Sequence, residues 1–283
     1  MTSGQSRQSR GRVRGFFAVC VLLLAGCASV LPAGTQTAAA SAQADARWQR
    51  HTLAGNGLPL AYWQPGRLAA GQTLVVYVEG DGRAYASRDI VSADPTPLRP
   101  LALQLALADG RPNVAYLARP CQYGGAAVPP CAPRYWTSHR FSPEVVARLS
   151  QALDAMKADT GAAAFELIGY SGGGALAVLL AAHRADVVAL QTVAGNLDHA
   201  AWSAWHGVTP LSGSFNAADV LPKIANLPQV HWVGRDDRVV PAELTRALLA
   251  RQDLAGRLRE VDAGHADGWR ERWPALQRRE AWP

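Results

Sequence analysis

From Trp48 onward, short apolar runs alternate along the chain with longer stretches of helical character. His51-Thr52-Leu53 and Leu58 to Trp63, separated by Ala54-Gly55-Asn56-Gly57, read as a hairpin, because Asn-Gly between apolar runs favours a tight turn. Thr73 to Val78 is a continuous apolar run ending before Gly80, the pattern of a strand buried on both faces. A helical spacing over Leu98 to Leu107 stops at Asp109-Gly110, and Val114 to Leu117 follows as a strand. Ser142-Pro143-Glu144 opens an amphipathic helix to about Ala158, with Ser142 as cap and proline at the first helical position. The scheme then repeats: strands at Phe165 to Ile168, Val187 to Val193, Val230 to Val233 and Leu258 to Val261, with helices at Gly173 to His183, Pro241 to Ala250 and Trp269 to Arg279. Such alternation predicts an α/β fold, a mostly parallel twisted sheet with helices on both faces and an antiparallel hairpin at its start.

The first residues follow a different pattern. A basic stretch to Arg14, an apolar run from Phe16 to Leu24 and Ala25-Gly26-Cys27 have the layout of a secretory signal. The apolar run is too short to span a bilayer. Leu24-Ala25-Gly26-Cys27 resembles the bacterial lipobox, which implies removal of residues 1–26 and lipidation of Cys27. Ala28 and Ser29 are similar to the outer-membrane sorting pattern, which implies the periplasmic face of the outer membrane. Residues 27–46, rich in Ala, Ser, Thr and Gln and poor in large apolar side chains, are expected to form a flexible linker. The folded body is then 47–283.

Composition and charge refine this. Of 283 residues 49% are hydrophobic and 18% charged, enough to bury one sizeable core and too apolar for a disordered chain. The formal charge of +6 comes from 28 Lys+Arg against 22 Asp+Glu. Four of the arginines, Arg7, Arg10, Arg12 and Arg14, precede Cys27 with no acidic residue among them, so the mature chain would hold 24 against 22, or +2. No case for a nucleic-acid partner remains. The cysteines have no metal-ligand spacing, and no metal or cofactor is expected. In an exported body, Cys121 and Cys131 would pair as a disulfide across a turn-rich loop, the alternative being two free thiols.

Gly169-Tyr170-Ser171-Gly172-Gly173 stands between an expected strand and an expected helix. A turn tight enough to expose Ser171 forces its neighbours together, so small residues are needed two before and two after it. The amide of Gly172 at the helix start would then be free to donate to an oxyanion. On this motif, in this context, the body resembles the α/β-hydrolase superfamily. The resemblance implies a serine nucleophile followed in order by an acid and a histidine. In Gly234-Arg235-Asp236-Asp237-Arg238-Val239-Val240-Pro241, Asp237 has a spacing similar to the family's acid, with Asp236 as competitor. His265, in Asp262-Ala263-Gly264-His265-Ala266-Asp267-Gly268, looks like the family's base and is the one histidine beyond the final strand.

The resemblance also implies a second oxyanion amide after Val78. Family members often carry His-Gly there, whereas this chain has Glu79-Gly80-Asp81-Gly82-Arg83, which assigns the amide to Asp81. A carboxylate there opposes catalysis unless turned away or neutralised, with Arg83 and Arg88 the local candidates. Tyr170, Arg83, Trp202 and Trp205 are expected near the substrate, the last two on a cap-like insertion at about 195–228. A second wall could come from the loop Arg119 to Arg140. These features favour a lipid-anchored, monomeric serine hydrolase acting on small acyl esters or thioesters, attached to the membrane through lipid on Cys27. The alternative is a catalytically silent binding or envelope lipoprotein that keeps the fold, for which Asp81 is the only support.

Overall fold

Thr73–Val78, the run expected to be buried on both faces, is the fourth strand across an eight-stranded sheet. The computed structural model describes residues 1–2, 33–53 and 55–279. Residues 3–32, with most of the expected signal segment and Cys27, lie outside the described residues, and every element below belongs to the compact unit Pro32–Pro283. The strands are β1 (Gln49–Leu53), β2 (Leu60–Gln64), β3 (Thr73–Val78), β4 (Tyr85–Ser87), β5 (Ile90–Val91), β6 (Val114–Leu117), β7 (Ala164–Tyr170), β8 (Val187–Val193), β9 (Gln229–Gly234) and β10 (Leu258–Val261). The helices are α1 (Ala33–Arg47), α2 (Leu101–Ala108), α3 (Pro143–Thr160), α4 (Gly172–His183), α5 (His199–His206), α6 (Ala217–Val220), α7 (Ala242–Ala250) and α8 (Trp269–Arg279).

The main sheet runs β1-β2-β6-β3-β7-β8-β9-β10, and β4 with β5 forms a separate small hairpin. The pairs β1/β2 and β2/β6 are antiparallel; from β6 to β10 every pair is parallel. Alternation along β3 divides the core: Leu74, Val76 and Val78 pack on the side of α3, α4 and α7, and Val75 and Tyr77 on the side of α1, α2 and α8. Ser142 caps α3 by accepting from the Val145 amide, and Gly161 ends it in the left-handed conformation at φ 74°. The helix expected from Leu98 begins at Leu101, since Pro100 restricts the residue before it and suits a helix start. Cys121 and Cys131 form a disulfide.

The linker expectation is corrected for residues 33–46, which are helical in α1. Alanine is the strongest helix former, and the small side chains that looked unable to pack instead allow close approach. Ala40 and Ala44, four apart, are buried in the same core as α2. Asp45 accepts a 2.6 Å bond from the Trp63 indole, and Arg47 donates to the carbonyls of Leu107, in the last turn of α2, and of Asp109 and Arg111 just beyond it. The latter three bonds place a cation where a helix leaves its carbonyls unpaired.

Part of the cap-like insertion is also core: Leu211, Ala217, Ala218 and Leu221 belong to the cluster around α4.

Candidate active site

The parallel strands all end on one edge of the sheet, and β3, β7, β8, β9 and β10 lead directly into loops that form the site. Ser171 follows β7 with φ 51° and ψ −121°, a backbone conformation that costs a non-glycine residue about 1–3 kcal/mol. Its N–H donates to the Val193 carbonyl at 2.9 Å, and its own carbonyl accepts from Gly174 and Asn196. These bonds hold the strained turn between β7, β8 and α4. A Cβ on Gly169 would lie 2.2 Å from the Gly173 carbonyl oxygen, and one on Gly173 would lie 2.3 Å from that of Val78. The close approach thus requires glycine at both positions flanking the turn.

Ser171 Oγ lies 3.0 Å from His265 Nε2, and His265 Nδ1 lies 2.8 Å from Asp237 Oδ2. The other oxygen of Asp237 accepts from the amides of Val239 and Val240, each at 2.8 Å. Asp237 is buried and Asp236 exposed, which separates the two aspartates that the sequence left open. A carboxylate fixed in this way can orient the imidazole and favour its cation, and the imidazole can take the serine proton.

The Glu79–Arg83 loop passes beside this relay. Neither the Asp81 nor the Gly172 N–H has a hydrogen-bond partner among the described residues. Glu79 is buried and accepts from the amides of Gly80, Ala102 and Leu103 and from the Tyr116 hydroxyl, fastening the loop to the first turn of α2. Burial pushes its carboxyl above the ordinary range, against these bonds. Asp81 is ion-paired on both oxygens, at 2.9 Å with Arg119 and 2.6 Å with Arg140. Burial would raise its carboxyl, yet the two guanidinium groups more than offset this and hold it below the ordinary range. This corrects the expectation that Arg83 or Arg88 would neutralise it: both are exposed. Arg119 also donates to the Arg140 carbonyl, which ties the two ends of the disulfide-bearing loop together.

A cleft of about 510 Å³ opens over Ser171 and His265, within the range of small-ligand sites. Tyr170, Arg83 and Trp202 line it as expected. Trp205 does not: Trp202 and His206, four apart on α5, turn to the Val239 carbonyl, and Trp205 falls off that face at 57% exposure. Sequence reasoning missed Arg99, Asn196 and Arg140 as lining residues. Arg140 and Arg119 bounded the loop named as a possible wall, but nothing local marked them as partners of Asp81.

The fold is that of the α/β hydrolases. The structure is similar to Est1E from Butyrivibrio proteoclasticus, at 14% identity and a TM-score of 0.55, covering 81% of this chain and 96% of that one. It is also similar to the Pyrococcus furiosus esterase Pf2001, at 16% identity and a TM-score of 0.56, covering 83% and 91%. A membrane phospholipase A described as a bacterial virulence factor matches at 18% identity and a TM-score of 0.56, covering 87% and 90%. No family model and no curated protein sequence matches the chain.

Proposed function

We propose that this protein is a serine hydrolase of carboxylic esters or thioesters. The observation that carries the reading is the continuous hydrogen-bonded relay from Ser171 through His265 to Asp237, at 3.0 and 2.8 Å, with the serine on a strained turn under an open cleft. His265 Nε2 takes the Ser171 proton as Oγ attacks the ester carbonyl, and Asp237 supports the imidazolium. The amides of Gly172 and Asp81 receive the oxyanion. His265 then protonates the leaving group, and water drawn to the same nitrogen releases the acyl group from Ser171.

The esterases and the phospholipase among the structural neighbours support ester chemistry. The silent-binder alternative rested on an uncompensated Asp81, and the pairing of that carboxylate with two arginines removes its support. A fluorophosphonate probe is expected to label the wild type and not Ser171→Ala, with hydrolysis of short and medium acyl esters lost in the same variant. No labelling together with no turnover across the panel would sink the reading.

We also propose that the hydrolase is lipid-anchored through Cys27 in a bacterial envelope, on the lipobox-like Leu24-Ala25-Gly26-Cys27. Metabolic labelling with an alkyne fatty acid is expected to mark the wild type and not Cys27→Ser, and equal labelling of both would refute the anchor.

A further inference from the structure

The charges that face the cleft are unequal in how far they are already spent. On the acidic side, Glu79 is buried and held by four donors, and both oxygens of Asp81 are ion-paired. Asp237 has one oxygen on His265 and the other on two amides. No carboxylate is left open to a ligand there. On the basic side, Arg83 is exposed, and its side chain has no partner among the described residues. Arg99 has a single long contact, 3.4 Å to Asp267, with both side chains largely in solvent. Both arginines line the cleft.

Arg99 also lies near the chemistry. Burial, and after it the charges of Glu79, Asp237 and Asp81, push the Tyr170 hydroxyl up, and Arg99 pulls against them. Tyr170 packs on the His265 ring with centroids 5.3 Å apart. Apolar surface completes the rim: Tyr85, Leu98 and Val239 line the cleft and remain 41–47% exposed.

We propose that Arg83 and Arg99 form an anion subsite at the mouth of the Ser171 cleft, so that its preferred substrates are esters carrying a carboxylate or phosphate on an apolar skeleton. This rests on the hydrolase reading above. Guanidinium groups bind such anions through charge-assisted and often paired hydrogen bonds, and a neutral ester gains none of them. The apolar rim takes the hydrocarbon part, and an ester with a cationic group is repelled.

The test uses the full chain in neutral detergent and a pair of substrates that differ in one charge, 4-nitrophenyl hemiglutarate and its methyl ester. The measured quantity is the ratio of kcat/KM for the charged over the neutral ester. A ratio of about ten or more is expected, falling towards one in Arg83→Gln/Arg99→Gln, partly retained in Arg83→Lys/Arg99→Lys, and falling with added salt. Lysophosphatidic acid against the monoacylglycerol of the same acyl chain repeats the comparison with phosphate, so the two arms tell which anion is preferred. Wild-type ratios near one in both arms, or ratios the Gln variants leave unchanged, would overturn the subsite.

Binding separates this from the hydrolase reading. Full-chain Ser171→Ala, titrated by tryptophan fluorescence, is expected to bind the hemiglutarate at least about tenfold more tightly than the methyl ester. If the fluorophosphonate fails to label Ser171 while that preference persists and disappears on adding the two Gln substitutions, the hydrolase reading falls and the anion subsite stands. Labelling with no preference in binding or turnover gives the reverse.

Discussion

Asp81 and Gly172 meet so closely that a Cβ at position 172 would lie 2.1 Å from Asp81 Oδ1. A carboxylate therefore stands beside an amide assigned to the oxyanion, where a lone negative charge would oppose the reaction. With Arg119 and Arg140 on its two oxygens, the cluster is formally +1. Arg140→Gln brings it to zero, and the change should act on the transition state more than on the bound neutral ester. The expected result is a kcat lower by about tenfold or more, with KM for a neutral ester moved less than about threefold and partial recovery in Arg140→Lys. An unchanged kcat in a folded Arg140→Gln protein would show that the cluster only packs the loop.

The relay gives a sharper test. Asp236 and Asp237 are adjacent in sequence, yet Asp237 is buried with its carboxylate on His265 and Asp236 is exposed. Asp237→Asn should lower kcat by about 10⁴-fold, because the amide can present an N–H and favour the wrong imidazole tautomer. Asp236→Asn should leave it within about twofold, since surface substitutions away from the site act weakly. Steady-state kinetics on one activated ester decides the assignment, and comparable losses in the two variants would contradict it.

What the sequence made legible follows from how local each signal is. The strand and helix order came through, because period and capping are written within ten or so residues, and so did the glycines around Ser171. Asp81 was legible as a problem and its solution was not. Arg119 and Arg140 lie 38 and 59 residues further along the chain, and ion pairing leaves no period to read. The hairpin of β4 and β5 was missed because strands of three and two residues carry too few positions for alternation. Helix α1 was missed for a different reason: its packing uses Ala40 and Ala44, and attention to large apolar side chains passes over a close-packed alanine face.

Helix α1 has an experimental consequence. A body starting at Ala46 would lose the Asp45 acceptor of the buried Trp63 indole and the alanines packed near α2. A body starting at Pro32 keeps both. The shorter form is expected to unfold several degrees lower, since for a chain of this size a loss of about 2 kcal/mol moves Tm by about 4–8 °C. Equal Tm values for the two truncations would show that α1 contributes little to the body.

His231 on β9 predicts how the fold responds to acid. Its ring is fully buried, with Nδ1 2.9 Å from Thr192 Oγ1 and Nε2 3.0 Å from Gln229 Oε1. Burial, with the charge of Arg257 adding to it, pushes its pKa from 6.5 down to about 3. Between those values the unfolded chain binds a proton that the folded chain refuses, so stability rises with pH across the window and is lost on acidification. The aspartates held below their ordinary range by arginines, Asp81 among them, lose their contribution only around and below pH 4. Glu79, held above its ordinary range, acts in the opposite sense, and His199, held below its own by burial, in the same sense as His231. The effect of His231 is therefore the difference between wild type and variant over a series from pH 7.5 to 4.5. The urea midpoint of the wild type is expected to fall over that series, and that of His231→Gln to fall distinctly less, whatever the variant's stability at pH 7.5. Parallel declines in the two proteins would mean that acid sensitivity lies with other groups.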